Sequence, residues 1–246
     1  LGAFYDLHDY ENYDERKATT SLYDLMTMSS AFTGNDSDYD SPGNEENMYP
    51  TKDWVRFTLN LPAKKAGQRQ WEYFTAGVVV LGDVIHQHVP GGLEAYAKQR
   101  LFDPLGITSQ RWQQTPQGVA NTAGGIQMTS LDFAKYGLLY ANQGQWKGRQ
   151  LLPEEWVNKS FSPQIAITDR PGENYGFLFW NKTFTVNGRK LATYYCAGNG
   201  GNKIFVFPEE DLVVVVTATA YNMPYAHPQV DDLMEKQVLP AVLERN

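Results

Sequence analysis

Residues 194–208, Tyr-Tyr-Cys-Ala-Gly-Asn-Gly-Gly-Asn-Lys-Ile-Phe-Val-Phe-Pro, constrain this chain more than any other stretch. Two runs of aromatic and β-branched residues flank a knot of three glycines and two asparagines. Runs joined by so short a link pair antiparallel, because a parallel crossover needs far more chain. Glycines inside a strand pattern mark a bulge or a place where another backbone comes close. The knot therefore has two readings. It is an ordinary hairpin turn, or it is an opening through which bare N–H groups reach a ligand.

The residues around it continue the pattern. Segments 175–180, 183–186, 190–196, 202–207 and 212–219 all read as strands, and Asn187-Gly188 is a strong two-residue hairpin signal. Pro208-Glu209-Glu210-Asp211 supplies the next turn. An antiparallel meander follows from connections this short. Val213 to Val216 is apolar without alternation, which predicts a strand covered on both faces. Residues 229–244 carry Val230, Leu233, Met234, Val238 and Leu239 at helical spacing, predicting a helix on the sheet, bent at Pro240.

Upstream the pattern is helical. Thr20-Ser21 caps a helix over 20–28, with Leu22, Leu25 and Met26 on one face and Ser29 and Ser30 ending it. Further helices are expected over 52–61, over 93–101 and, capped by Ser130, over 130–142, with a short one opened by Pro153. Residues 1–17 read as an acidic, aromatic surface segment, 33–50 as a long polar loop and 62–69 as a basic turn. Residues 71–85 end in an apolar run that periodicity alone leaves open as buried strand or buried helix. Helices first, then an antiparallel sheet and a last helix, is an α+β pattern. It divides into a mainly helical part over 1–170 and the sheet with its C-terminal helix over 171–246, together one intimate domain.

Composition removes several function classes. The net charge of -7, with no Lys/Arg cluster, argues against a nucleic-acid partner. No apolar run approaches the roughly 20 residues of a membrane span. The lone Cys196 allows no internal disulfide, and with no adjacent His to act as its base it reads as a small buried apolar residue. Asp36-Ser37-Asp38-Tyr39-Asp40 invites a calcium reading, but Ser41 and Asn47 stand where an EF-hand loop needs its Gly and its last Glu. His86 and His88 do not share a helix face, and His8 and His227 are scattered. No metal or other cofactor is expected. The chain opens on Leu1 rather than Met, so its natural N-terminus is expected upstream.

Five stretches, taken in order, resemble the serine hydrolases related to class C β-lactamases and penicillin-binding proteins. Residues 20–30 are similar to the segment that follows the family's catalytic helix. Trp71-Glu72-Tyr73-Phe74-Thr75-Ala76-Gly77, with Leu81-Gly82 and Ile85, resembles the Tyr-x-Asn block and the helix behind it. Leu101-Phe102-Asp103-Pro104-Leu105-Gly106-Ile107 is very like the family's phrase at that place. Gly124 to Ser130 and Phe133 to Gly137 resemble the next block. Gly198-Asn199-Gly200-Gly201 falls where a Lys-Thr-Gly or His-x-Gly strand motif would stand. No single block is specific; five in the right order are.

The resemblance implies a β-lactamase/transpeptidase-like fold and acyl transfer through a serine ester, acting as esterase, amidase or D-amino-acid peptidase. It makes Tyr73 the catalytic tyrosine. A phenol with a pKa of about 10 is a poor base at neutral pH and needs a cationic neighbour. Thr75 stands at the Asn position and offers a substrate carbonyl one hydrogen bond, without the amide's donor and acceptor pair. Gly198, Asn199, Gly200, Gly201 and Asn202 become the substrate and oxyanion strand, lacking the cation that would favour a substrate carboxylate. An ester or neutral amide is the expected small-molecule substrate rather than a penicillin.

One departure governs the reading. The family's nucleophile is the serine of a Ser-x-x-Lys motif, and no serine of this chain has a lysine three residues on. By position, the motif would precede residue 20. The expectation is therefore a hydrolase whose Ser and Lys lie upstream or on a companion chain, with these 246 residues inactive alone. The alternative is a non-catalytic relative that binds ligands. Compartment is not fixed, although such proteins are often periplasmic or secreted.

Overall fold

The computed structural model describes residues 1–65 and 70–244. Part of the basic turn expected over 62–69, namely 66–69, lies outside the described residues. The chain forms two compact units, Leu1–Gln127 and Met128–Asn246.

The first unit is helical: α1 (Glu15–Ala18), α2 (Leu22–Met26), α3 (Glu45–Met48), α4 (Trp54–Asn60), α5 (Thr75–His88), α6 (Gly92–Ala97) and α7 (Asp103–Leu105), then the short pair β1 (Arg111–Trp112) and β2 (Ile126–Gln127). Local chemistry sets most of the starts. Ser21 and Asp24 form a capping box on α2, Asn44 caps α3 and Asp53 caps α4. The open question over 71–85 resolves as helix. Its apolar run lies inside α5, buried almost throughout its first ten residues, so no polar stripe was there to reveal a helical period. Gly82 lets Thr122 come close, and the Thr122 hydroxyl donates to Val78 O at 2.6 Å. The helix expected over 93–101 ends earlier, as α6, and widens into an i→i+5 turn over Lys98–Phe102 before α7 stops at Gly106 in the left-handed region.

The second unit opens with α8 (Ser130–Ala141), the hairpin β3 (Gln145–Trp146) and β4 (Arg149–Gln150), and α9 (Glu154–Phe161). The sheet follows: β5 (Ile165–Ala166), β6 (Asn174–Tyr175), β7 (Trp180–Val186), β8 (Arg189–Gly198), β9 (Asn202–Phe207) and β10 (Leu212–Val216), antiparallel in the spatial order β10-β9-β8-β7-β6-β5. The chain ends in α10 (Ala226–Leu233) and α11 (Leu239–Leu243), joined by a wide turn over Met234–Val238. That turn is the bend expected at Pro240, whose missing N–H and bulky ring disfavour unbroken α-helix just before it. Asn187 and Gly188 both have positive φ, as the tightest hairpin turns require.

Two expectations need correction here. Strand β10 is half-buried along its whole length rather than covered on both faces, because it is the sheet's edge. The cap of α8 is Thr129, which accepts from Asp132 N at 3.1 Å, while Ser130 Oγ bonds Thr217 Oγ1 at 3.2 Å.

Helices α8 and α9 pack with the sheet within this unit. Tyr140, Val157, Phe161, Phe179 and Val206 form their shared core, with Tyr194, Cys196 and Val213 against it. Burial pushes the Cys196 thiol up to about 12. The other sheet face carries Phe184, Tyr195, Phe205 and Phe207 under the C-terminal helices. It also holds a charged junction: Lys182 and Lys203 both reach Asp231 Oδ1, at 2.7 and 2.6 Å. Among the described residues no helix is long and apolar enough to cross a membrane.

Candidate active site

Helix α5 lacks a capping side chain at its own start, where Phe74 stands. Its first turn is satisfied from elsewhere. Asp36, in the polar loop, accepts Thr75 N–H at 2.7 Å through Oδ2 and Glu45 N–H at 2.9 Å through Oδ1. One carboxylate thus serves the starts of α5 and α3, where the helix dipoles favour negative charge. Asp36 also donates its own N–H to Tyr73 O at 2.9 Å. Met28 completes the hold: its carbonyl accepts Glu72 N–H at 2.9 Å and its sulfur takes Phe74 N–H at 3.3 Å.

Residues 72–75 are therefore bracketed on the backbone by Met28 and Asp36, with Phe74 buried beneath. Tyr73 is half-buried and lies beside Trp71, ring centroids 6.3 Å apart. Thr75 is buried. Burial pushes the Asp36 carboxyl up to about 6, against the bonds from Thr75 and Glu45 that hold it down.

The loop that invited a calcium reading is thus built around inward bonds. Asp38 Oδ1 accepts Asp40 N–H at 3.0 Å, and Asn44 Nδ2 donates to the Asn35, Asp36 and Asp38 carbonyls. No group of three His, Cys, Asp or Glu side chains suited to a metal occurs among the described residues. Ser29 and Ser30 are buried, Ser29 Oγ bonding Thr27 Oγ1 at 2.9 Å.

In the second unit the glycine knot is the turn between β8 and β9, with Gly198 paired to Asn202. Gly200 and Gly201 have φ of 87° and 88°, a region open to glycine. A Cβ on Gly201 would meet Ala226 O at 2.5 Å. The knot is a hairpin, and Gly201 is also a point of close backbone approach. Asn199 is committed to the neighbouring loop. Its Nδ2 donates to Asn222 Oδ1 at 2.6 Å, and its Oδ1 accepts Asn222 N–H at 2.9 Å. Asn202 Nδ2 donates to Asn199 O at 2.7 Å and its Oδ1 accepts Ala218 N–H at 3.1 Å. Gly200 O accepts Ala220 N–H at 3.2 Å. The two asparagine side chains fasten the strand end to residues 218–222.

Sequence reasoning singled out Tyr73, Thr75 and the glycine knot but passed over Asp36 and Met28. The available signal was the missing cap at Phe74, which obliges a distant residue to supply one.

Comparison with known proteins now decides the family. The family model described as Beta-lactamase matches residues 7–236. The chain belongs to the Beta-lactamase family. No curated protein matches it. Among solved structures, a Bacillus anthracis protein designated a candidate 6-aminohexanoate-dimer hydrolase superposes with a TM-score of 0.74 at 16% identity, covering 93% of this chain and 62% of that one. A penicillin-binding protein from Bacillus halodurans gives 0.65 at 19%, covering 94% and 77%. Simvastatin synthase from Aspergillus terreus gives 0.68 at 16%, covering 96% and 74%. The chain thus spans less than two thirds of the first of these proteins. At such identities the likeness establishes the β-lactamase/transpeptidase-type α+β fold, and function must be argued from the site.

Proposed function

We propose that this chain is the larger part of a serine hydrolase that forms and hydrolyses an acyl-enzyme on a neutral ester, amide or peptide. The observation that carries the reading is the bracket on residues 72–75. It holds a half-exposed phenol on a backbone fixed at both its carbonyl and its neighbours' N–H groups. In this proposal a serine oxygen attacks the substrate carbonyl carbon. Its proton passes by way of Tyr73 to the leaving group. Water then cleaves the ester. Serine and lysine come from polypeptide outside these 246 residues, since no Ser-x-x-Lys occurs within them. The absence of a cation at residue 199 supports a neutral rather than a carboxylate-bearing substrate.

A fluorophosphonate probe applied to the intact natural protein tests this. The expected adduct is on a serine outside this chain, with lysine three residues on, and Tyr73→Phe slows both labelling and ester hydrolysis by about 100-fold or more. The 246-residue chain alone should take no label. An adduct within residues 1–246, or ligand binding without any adduct, overturns the proposal and in the second case favours a non-catalytic binding relative.

A further inference from the structure

Asp36 does two things at once to one short segment. Its N–H holds the Tyr73 carbonyl, and its Oδ2 holds the Thr75 N–H. Its Oδ1 meanwhile anchors α3 through Glu45 N–H. We propose that Asp36 is a positioning residue for the hydrolase reaction, fixing Tyr73 in register for proton transfer. The proposal rests on the serine-hydrolase reading of Tyr73.

One consequence follows from the chemistry. The bracket weakens when Asp36 takes a proton, because one oxygen becomes a donor while two N–H groups still need acceptors. The charges acting on Asp36 come from α3, where Glu45 repels it and itself accepts Tyr49 OH at 2.5 Å, with Glu46 beside them. From α5 the contribution is the Thr75 N–H. Burial outweighs these bonds and brings the carboxyl to about 6, inside the working range of an enzyme assay.

The test uses the full-length natural protein and its Asp36→Asn and Asp36→Ala variants, with p-nitrophenyl esters and matched p-nitroanilides as probes. Backbone amide exchange is read in parallel. The wild type should lose kcat below about pH 6, and Asp36→Asn should remove that limb, lowering kcat about 10-fold with KM within about 2-fold. Asp36→Ala should cost Thr75 and Glu45 at least about 10-fold in exchange protection; if that variant does not fold, Asp36→Asn carries the same readout. Unchanged kcat and an unchanged acid limb in Asp36→Asn overturn the proposal. If the wild type neither hydrolyses the probes nor takes a fluorophosphonate, the hydrolase reading is what fails. Exchange then decides the bracket by itself: lost protection at Thr75 upholds it, and retained protection overturns it.

Discussion

Residues 72–75 and residues 198–202 are both held from outside their own strand or helix, but by different chemistry. The first segment is held from within by a carboxylate, a carbonyl and a thioether. The second is fastened at the surface by neutral amides, Asn199 to Asn222 and Asn202 to Ala218. A buried carboxylate changes strength with pH, whereas an amide pair does not. In this chain the phenol-bearing segment is the adjustable one and the glycine turn is the fixed one.

The sharpest way to break this comparison is to remove the Lys182–Asp231–Lys203 charge junction of the second unit. Asp231→Ala leaves Lys182 and Lys203 without their shared carboxylate, and the Lys203 side chain is only 2% exposed. We expect a loss of about 3 kcal/mol in urea unfolding, against nearly wild-type stability for an exposed control such as Lys236→Ala, whose ion pair sits at the surface. Next comes Gly201→Ala. A methyl group there meets Ala226 O at a φ of 88°, at a cost of about 2–3 kcal/mol in thermal unfolding.

A third measurement addresses the adjustable segment. Because the folded chain raises the Asp36 carboxyl to about 6, it binds more protons than the unfolded chain between about pH 4 and 6. This contribution to stability is therefore greatest below pH 4 and declines as pH rises through that window, by up to about 3 kcal/mol. The difference in unfolding free energy between wild type and Asp36→Asn, measured at pH 4.5, 5.5 and 7, should show that slope. The smallest effect belongs to the exposed amides. A double-mutant cycle on Asn199 and Asn222 should give a coupling of about 0.5–1 kcal/mol, unchanged between pH 5 and 8.

The contrast also explains what was legible in the sequence. The meander could be read because its determinants are local: Asn187-Gly188 between two runs of strand formers, and a glycine knot between two more. The helical state of residues 75–88 could not, because a helix apolar on nearly every side offers no period to detect. The edge position of β10 was likewise invisible, since four valines in a row look the same at the edge of a sheet as at its centre. Asp36 was hidden by distance. Its bond to Thr75 spans 39 residues, and next to Asp38 and Asp40 it looked like one more solvated acid. Asn199 stood out, but its partner lies 23 residues on. Ordered short motifs pointed to the family, and the match over residues 7–236 agrees.

One residue of the second unit has a practical use. The chain has a single sulfhydryl, and at any ordinary pH Cys196 stays in its unreactive, protonated form among the aromatic side chains beneath α8 and α9. A maleimide or disulfide reagent added to the folded protein meets a half-buried thiol in its slow, protonated form and reacts faster once that layer parts. Its uptake is thus a clock on the opening of the sheet, with no label to engineer and no second thiol to confuse the count.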